Sequence, residues 1–389
     1  MKKLAVMIAL GVISSAHAEK WNNSNNPNFF NVVSNAPMRA DFASLPLAAD
    51  LKDDRLAWSE TFWPANVGGV AYRWNSPNPQ PFKFKLKTKE ELLRMTEAEL
   101  SELSPAELYD IAQGNYNYPL TKKVLKSNAP DDLWWEGICH GWALAATHYP
   151  EPAPVLITNK DGIKVPFGSS DVKGLLALHD ANNSKGAYAR IGDRCGENGK
   201  VDGEAFPEDG VVPVITAKQA NKSECADVNA GAFHIVITNM IGINSQSFIA
   251  DVDRFNDVWN QPIFGYKSEI VGPEPVTAQD AKNGIAQKIR VKNEMSYGDE
   301  LEFYSEELEH EGIIQFVSKL PVTGTEHQLY STRKYEYVLE LDAKGSIIGG
   351  TWISETRPDM LWMKKKDQKF MNGKFDLEGL NKIYRPVIR

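Results

Sequence analysis

The 389-residue chain contains only three cysteines and has no HExxH helix signature, no paired CxxC, no GxSxG elbow and no nucleotide-type glycine loop. Zinc hydrolysis, serine hydrolysis and nucleotide chemistry therefore lack support, because each needs its ligands or backbone donors at a fixed spacing. No long basic run is present, and a formal net charge of −8 argues against a nucleic-acid partner, whose phosphates call for clustered Lys and Arg. Beyond the first 18 residues, no run approaches the ~20 apolar residues needed to span a bilayer. Internal repeats and low-complexity tracts are also missing.

What is present begins with an export signal. Lys2 and Lys3 precede an apolar stretch from Leu4 to Ile13 and a small-x-small site, Ala16-His17-Ala18, which together read as a bacterial secretory signal peptide over residues 1–18. Cleavage near Ala18/Glu19 predicts a secreted or periplasmic protein, with no Cys after the site to carry a lipid anchor. The remaining chain, 42% apolar overall and rich in Trp, exceeds what a single small core organises. One large catalytic unit with additions, or two domains, is expected.

In chain order, residues 19–87 are rich in Asn and Pro and read as an irregular N-terminal extension, a candidate pro-segment. Residues 88–130 form a helical segment, with Thr88 as an N-cap and Ser104-Pro105-Ala106-Glu107 as a second helix start. A cysteine core is expected over 131–270. Within it, Pro154 to Phe167 reads as a hairpin turning at Asp161-Gly162, followed by a helix capped near Ser169-Ser170-Asp171. The run Phe233 to Ile241 is β-branched and apolar, and reads as a strand returning through Ser247 to Asp253. Residues 271–389 are expected to be a β-rich region packed on the core.

Cysteine arithmetic then singles out one thiol. Cys195 and Cys225 lie in polar surroundings where a loop-closing disulfide fits, which leaves Cys139, although other pairings remain open. In Trp134-Trp135-Glu136-Gly137-Ile138-Cys139-His140-Gly141-Trp142-Ala143, a glycine turn leads into a Trp, Ala and Leu pattern that predicts a mostly buried helix with Cys139 on its first turn. The positive end of a helix stabilises a thiolate there; a small buried cysteine is the bland alternative.

A cysteine nucleophile needs a base, and the base needs a group to orient it. His140 adjoins Cys139 but is expected on another side of the helix, while His148 and His179 fall at helix ends and His310 and His327 in charged segments. His234 alone sits on an apolar stretch entered through small residues, Asn229-Ala230-Gly231-Ala232, and is the predicted base; its alternative is a satisfied core histidine. Asp253 or Asp251, on one face of the return strand, would orient it, with Asp253 favoured by the turn position and Asn260 a further candidate. These aspartates are alternatively a solvated strand end, or with Asp257 a cation site.

Two stretches give this chain a resemblance to a known family. Trp135-Glu136-Gly137-Ile138-Cys139-His140-Gly141-Trp142-Ala143 and Val258-Trp259-Asn260-Gln261-Pro262-Ile263-Phe264-Gly265-Tyr266-Lys267 resemble motifs of the secreted transglutaminase elicitors of oomycetes and marine bacteria, the second departing at Ile263-Phe264. Gly349-Gly350-Thr351-Trp352 and Pro358-Asp359-Met360-Leu361-Trp362 are similar to the family's C-terminal region. The resemblance implies an α+β, papain-like cysteine core with Cys on a helix start and His and Asp on adjacent antiparallel strands. It also implies protein-glutamine γ-glutamyltransferase activity on proteins with accessible Gln and Lys, through a thioester on Cys139, and it raises calcium as a cofactor although no EF-hand loop is present. The backbone N–H of Cys139 is the natural oxyanion donor, with the Trp134 or Trp135 indole as a second. A papain-like protease is the alternative activity; Leu133 stands where that subclass places Gln. A non-catalytic wall-binding protein is a third reading.

Overall fold

The structure, a computed structural model, describes residues 24–52, 55–133, 135–193, 227–252, 258–299, 302–303, 314–315 and 317–387. The signal segment, Trp134, Cys195, Cys225, Asp253, Asp257 and His310 lie outside the described residues, as does the expected disulfide. Three capping boxes start the helical segment. Thr88, Thr96 and Ser104 each accept the N–H three residues on, from Glu91, Glu99 and Glu107, and each Glu reaches back to its cap. They open α1 (Lys89–Leu92), α2 (Glu97–Leu100) and α3 (Pro105–Ala112), and α4 (Pro119–Lys126) follows.

Helix α5 (Cys139–His148) is buried on nearly every face, as its apolar and small residues predict. Its entry requires glycine: a Cβ on Gly137 would lie 2.5 Å from the Phe62 carbonyl oxygen, and the next residue, Ile138, donates its N–H to that oxygen at 2.8 Å. Strands β2 (Val155–Thr158) and β3 (Lys164–Phe167) form the expected hairpin, with Gly162 at φ 85° in the turn. Helix α6 (Ser169–Asn182) packs on α5 so closely that a Cβ on Gly141 would sit 2.2 Å from the Ala177 carbonyl oxygen and 2.7 Å from the Ala181 methyl. The irregular segment before α1 is locked to α5 through indoles: Trp58 donates to the Tyr149 carbonyl at 2.8 Å and Trp142 to the Trp58 carbonyl at 3.1 Å.

An antiparallel sheet organises the rest. Along it lie β11 (Ile347–Trp352), β10 (Tyr330–Leu341), β7 (Gln287–Gly298), β6 (Asn260–Glu274), β5 (Phe248–Asp251), β12 (Met360–Lys364) and β4 (Tyr188–Gly192), and β1 (Ala48–Asp50) adds to β6, while β8 (Glu302–Phe303) and β9 (Ile314–Gln315) pair with each other outside it. Alternation along its strands sorts two cores. Ile249, Met360 and Trp362 pack with α5 and α6, whereas Phe248, Ala250 and Leu361 pack with the residues of 230–243.

The predicted strand at 233–241 is a helix, α7 (Ala230–Ile237), continued by a π-helical turn over Thr238–Ile243. A continuous apolar run of this length does not by itself separate buried strand from buried helix. The decision comes from Asn229, whose side-chain oxygen accepts the Gly231 and Ala232 N–H groups as an N-cap. The small residues that precede His234 serve helix-to-strand contact: a Cβ on Gly231 would lie 2.4 Å from the Gly349 carbonyl oxygen.

Gly141→Ala is expected to lower stability by about 1–3 kcal/mol, because the added methyl meets backbone rather than a movable side chain. Chemical denaturation measures this, and an unchanged midpoint would contradict the close α5–α6 approach.

Candidate active site

Cys139 is the first residue of α5 and only 7% of it is exposed. Intrahelical bonding begins just beyond it, where Gly141 and Trp142 both donate to the Ile138 carbonyl, so Cys139 stands at the positive end of the helix dipole. Two contacts come from the turn into β6. The thiol donates to the Val258 carbonyl oxygen at 3.5 Å, and the Asn260 Nδ2 donates to Sγ at 3.5 Å. Asn260 is held in turn by Trp362 on β12, whose indole N–H donates to Oδ1 at 2.7 Å.

Asp251 stands directly behind this arrangement. It pairs with Asn260 in the β5–β6 register, and its Oδ1 accepts the Trp259 N–H at 3.2 Å, fixing the turn that carries Val258. The Trp259 ring meets Phe62 edge-on at 5.6 Å, joining that turn to the segment beneath Gly137.

Cys139, Val258 and Asn260 open onto a cleft of about 540 Å³ lined also by Trp63, Trp135, Glu136, His140, Arg190 and Lys374. Acidic and basic groups thus face the same space as the thiol. His140 lines this cleft with part of its surface open; desolvation by the protein packed around it, followed by the positive fields of Lys364 and Lys374, lowers its pKa and favours the neutral imidazole. Adjacency on a helix does not put two side chains on one face, yet the cleft is wide enough to include both residues 139 and 140.

His234 lies elsewhere. It belongs to α7 and the second core, across the sheet from α5, and does not line the cleft. Its Nδ1 is 2.8 Å from the Tyr337 hydroxyl, its ring packs near Phe42, and Nε2 has no hydrogen-bond partner among the described residues. Burial pushes its pKa down to about 3. The residue is a neutral core histidine, the alternative weighed above, and the expected strand-borne Cys-His-Asp arrangement is corrected on this point. Of the other expected site residues, Trp135 lines the cleft and Asp251 supports its turn. Trp362 carried no mechanistic signal in the sequence beyond its place in the C-terminal resemblance. Among the described residues, no group of three or more His, Cys, Asp or Glu is arranged to hold a metal ion. No helix among them is long and apolar enough to cross a membrane.

The transglutaminase elicitor family profile matches residues 132–372, a stretch that includes Cys139, Asn260 and Trp362. The crystal structure of the GP42 transglutaminase from Phytophthora sojae is similar with a TM-score of 0.61 at 19% identity, over 94% of this chain and 99% of that one. At that identity the likeness speaks for the fold. No curated protein matches the chain.

The depressed His234 pKa has a signed consequence. Between an unfolded value of roughly 6.5 and about 3 in the fold, the unfolded chain binds the extra proton. The residue therefore takes away stability as pH falls through that window, by up to about 1.4 kcal/mol per pH unit, and contributes no pH dependence above it. His234→Gln keeps a polar partner for Tyr337 and removes the titration. Its denaturation free energy should fall less steeply than wild type between about pH 6.5 and 4, and parallel profiles would refute the assignment.

Proposed function

Because the chain belongs to the transglutaminase elicitor family, we propose that it is a protein-glutamine γ-glutamyltransferase whose nucleophile is Cys139. The observation that carries this reading is the placement of that thiol: first residue of a buried helix, on the cleft, with the Asn260 amide directed at its sulfur. The Cys139 thiolate attacks a glutamine carboxamide carbon, and the oxygen takes the negative charge of the tetrahedral intermediate. The Cys139 backbone N–H and the Asn260 amide are the donors for that charge, and the Trp135 indole is a further one on the cleft wall. Collapse breaks the C–N bond, ammonia leaves with a proton, and the acyl group remains as a thioester on sulfur.

A lysine amine then adds to the thioester carbon, loses a proton, and expels the thiolate, leaving a glutamine–lysine isopeptide bond. His140 is the imidazole that shares the cleft with Cys139, and being neutral it is suited to take the thiol proton, pass it to departing ammonia, and later receive the amine proton. Asp251 acts by holding the Trp259 turn. The substrates would be proteins with accessible Gln and Lys, met after export through the signal peptide read at residues 1–18.

The test is incorporation of a fluorescent primary amine into a Gln-rich protein by the mature protein and by Cys139→Ala, each with calcium and with chelator. Incorporation that falls to background in Cys139→Ala is the expected result, and the chelator arm decides the calcium requirement. Cys139-dependent cleavage without incorporation would replace this reading with a protease; neither activity would refute both. His140→Gln should lower kcat by about 10²–10⁴-fold, the usual worth of a general base, and a kcat within a few-fold of wild type would remove it from the scheme.

A further inference from the structure

We propose that Trp362 is a positioning residue which, through Asn260, keeps an amide N–H aimed at the Cys139 sulfur; the inference rests on the reading of Cys139 as nucleophile. An indole N–H can donate a hydrogen bond but has no capacity to accept one. The Trp362 Nε1, 2.7 Å from the Asn260 side chain, therefore selects one of the two amide orientations: Oδ1 toward the indole and Nδ2 toward Sγ, 3.5 Å away. The reverse orientation would set donor against donor in a place where Asn260 is 5% and Trp362 8% exposed, and water could not repair the mismatch.

Trp362 is itself held on both sides. It lies in β12 opposite Ile249 of β5 and Arg190 of β4, and its ring packs against Tyr188 with centroids 6.1 Å apart. A residue 102 positions from Asn260 thus decides which atom of the amide meets the thiol. The direction matters chemically. An Nδ2–H facing sulfur favours the thiolate and is in reach of negative charge forming beside it, whereas an Oδ1 facing sulfur would oppose both. The Val258 carbonyl, which accepts from the neutral thiol, pulls the other way. The Asn260 amide and the helix start are the opposing donors that shift the balance toward the thiolate.

The experiment reads Cys139 alkylation by iodoacetamide against pH, with Cys139 followed by peptide mass spectrometry, in wild type, Trp362→Phe, Asn260→Ala and the double variant. Trp362→Phe keeps an aromatic ring in the core and removes the indole N–H together with part of the ring's bulk; the comparison with Asn260→Ala and the double variant separates the two effects. Trp362→Phe should move the alkylation profile to higher pH and lower kcat for amine incorporation about tenfold with little change in KM, the loss expected when one directed hydrogen bond no longer acts. The double variant should be no worse than Asn260→Ala alone, because Trp362 acts only through that amide. An unmoved profile in Trp362→Phe, or losses that add in the double variant, would overturn the proposal by reducing Trp362 to a packing residue. Should Trp362→Phe fail to fold, an unmoved profile in Asn260→Ala would overturn it equally. Alkylation does not depend on turnover: a shifted, non-additive profile in a protein that incorporates no amine would support the positioning role while refuting the transferase reading.

Discussion

The close approach of α5 to the backbone around it is the constraint on which the site depends. Gly137 admits the Phe62 carbonyl and Gly141 admits the Ala177 carbonyl, so the helix start is clamped between an irregular segment on one side and α6 on the other. With its first turn placed this way, Cys139 can meet the turn at Val258 and Asn260 only because Asp251 and the β5–β6 register hold that turn at the same depth. No single element makes the site. It is a junction of a helix terminus, a strand terminus and the indole of a third strand.

The two-faced sheet explains why the junction is separated from His234. One face carries α5 and α6, and the other carries α7 under an aromatic layer of Phe233, Tyr335, Tyr337 and Trp352. His234 belongs to that second layer, where an imidazolium would be uncompensated and the neutral ring is retained.

A buried charge cluster closes the far end of α5. Asp180 accepts from the Nδ1 atoms of His148 and His179, each at 2.8 Å, and despite its burial these partners hold its carboxyl below the usual carboxylate range. The His179 Nε2 accepts the Met371 N–H, which puts its proton on Nδ1, while the His148 Nε2 donates to the Lys364 carbonyl. The cluster thereby fastens the segment after β12, whose Lys374 and Phe375 reach back to form part of the cleft wall. At the middle of the same helical layer, Lys173 is buried against Glu151 at 2.8 Å and the Ser59 carbonyl at 3.0 Å, tying the irregular N-terminal segment to α6. Both clusters leave the thiol end of α5 facing the cleft and anchor everything else.

By itself the sequence determined the features written in short-range chemistry. The caps at Thr88 and Ser104 and the Asp161-Gly162 hairpin follow from side chains that satisfy backbone groups within a few residues of themselves. Tertiary structure decided the rest. The β-branched stretch around His234 became helical because Asn229 capped it and Gly231 let it settle on β11, a contact between residues far apart in the chain. The Asn260 amide that meets the thiol, at the start of β6, and the Trp362 indole that holds this amide carry no periodicity that could announce them. Their roles exist only once antiparallel pairing brings β5, β6 and β12 side by side, because a hydrogen bond is specified by position in space and a sequence motif by position along the chain.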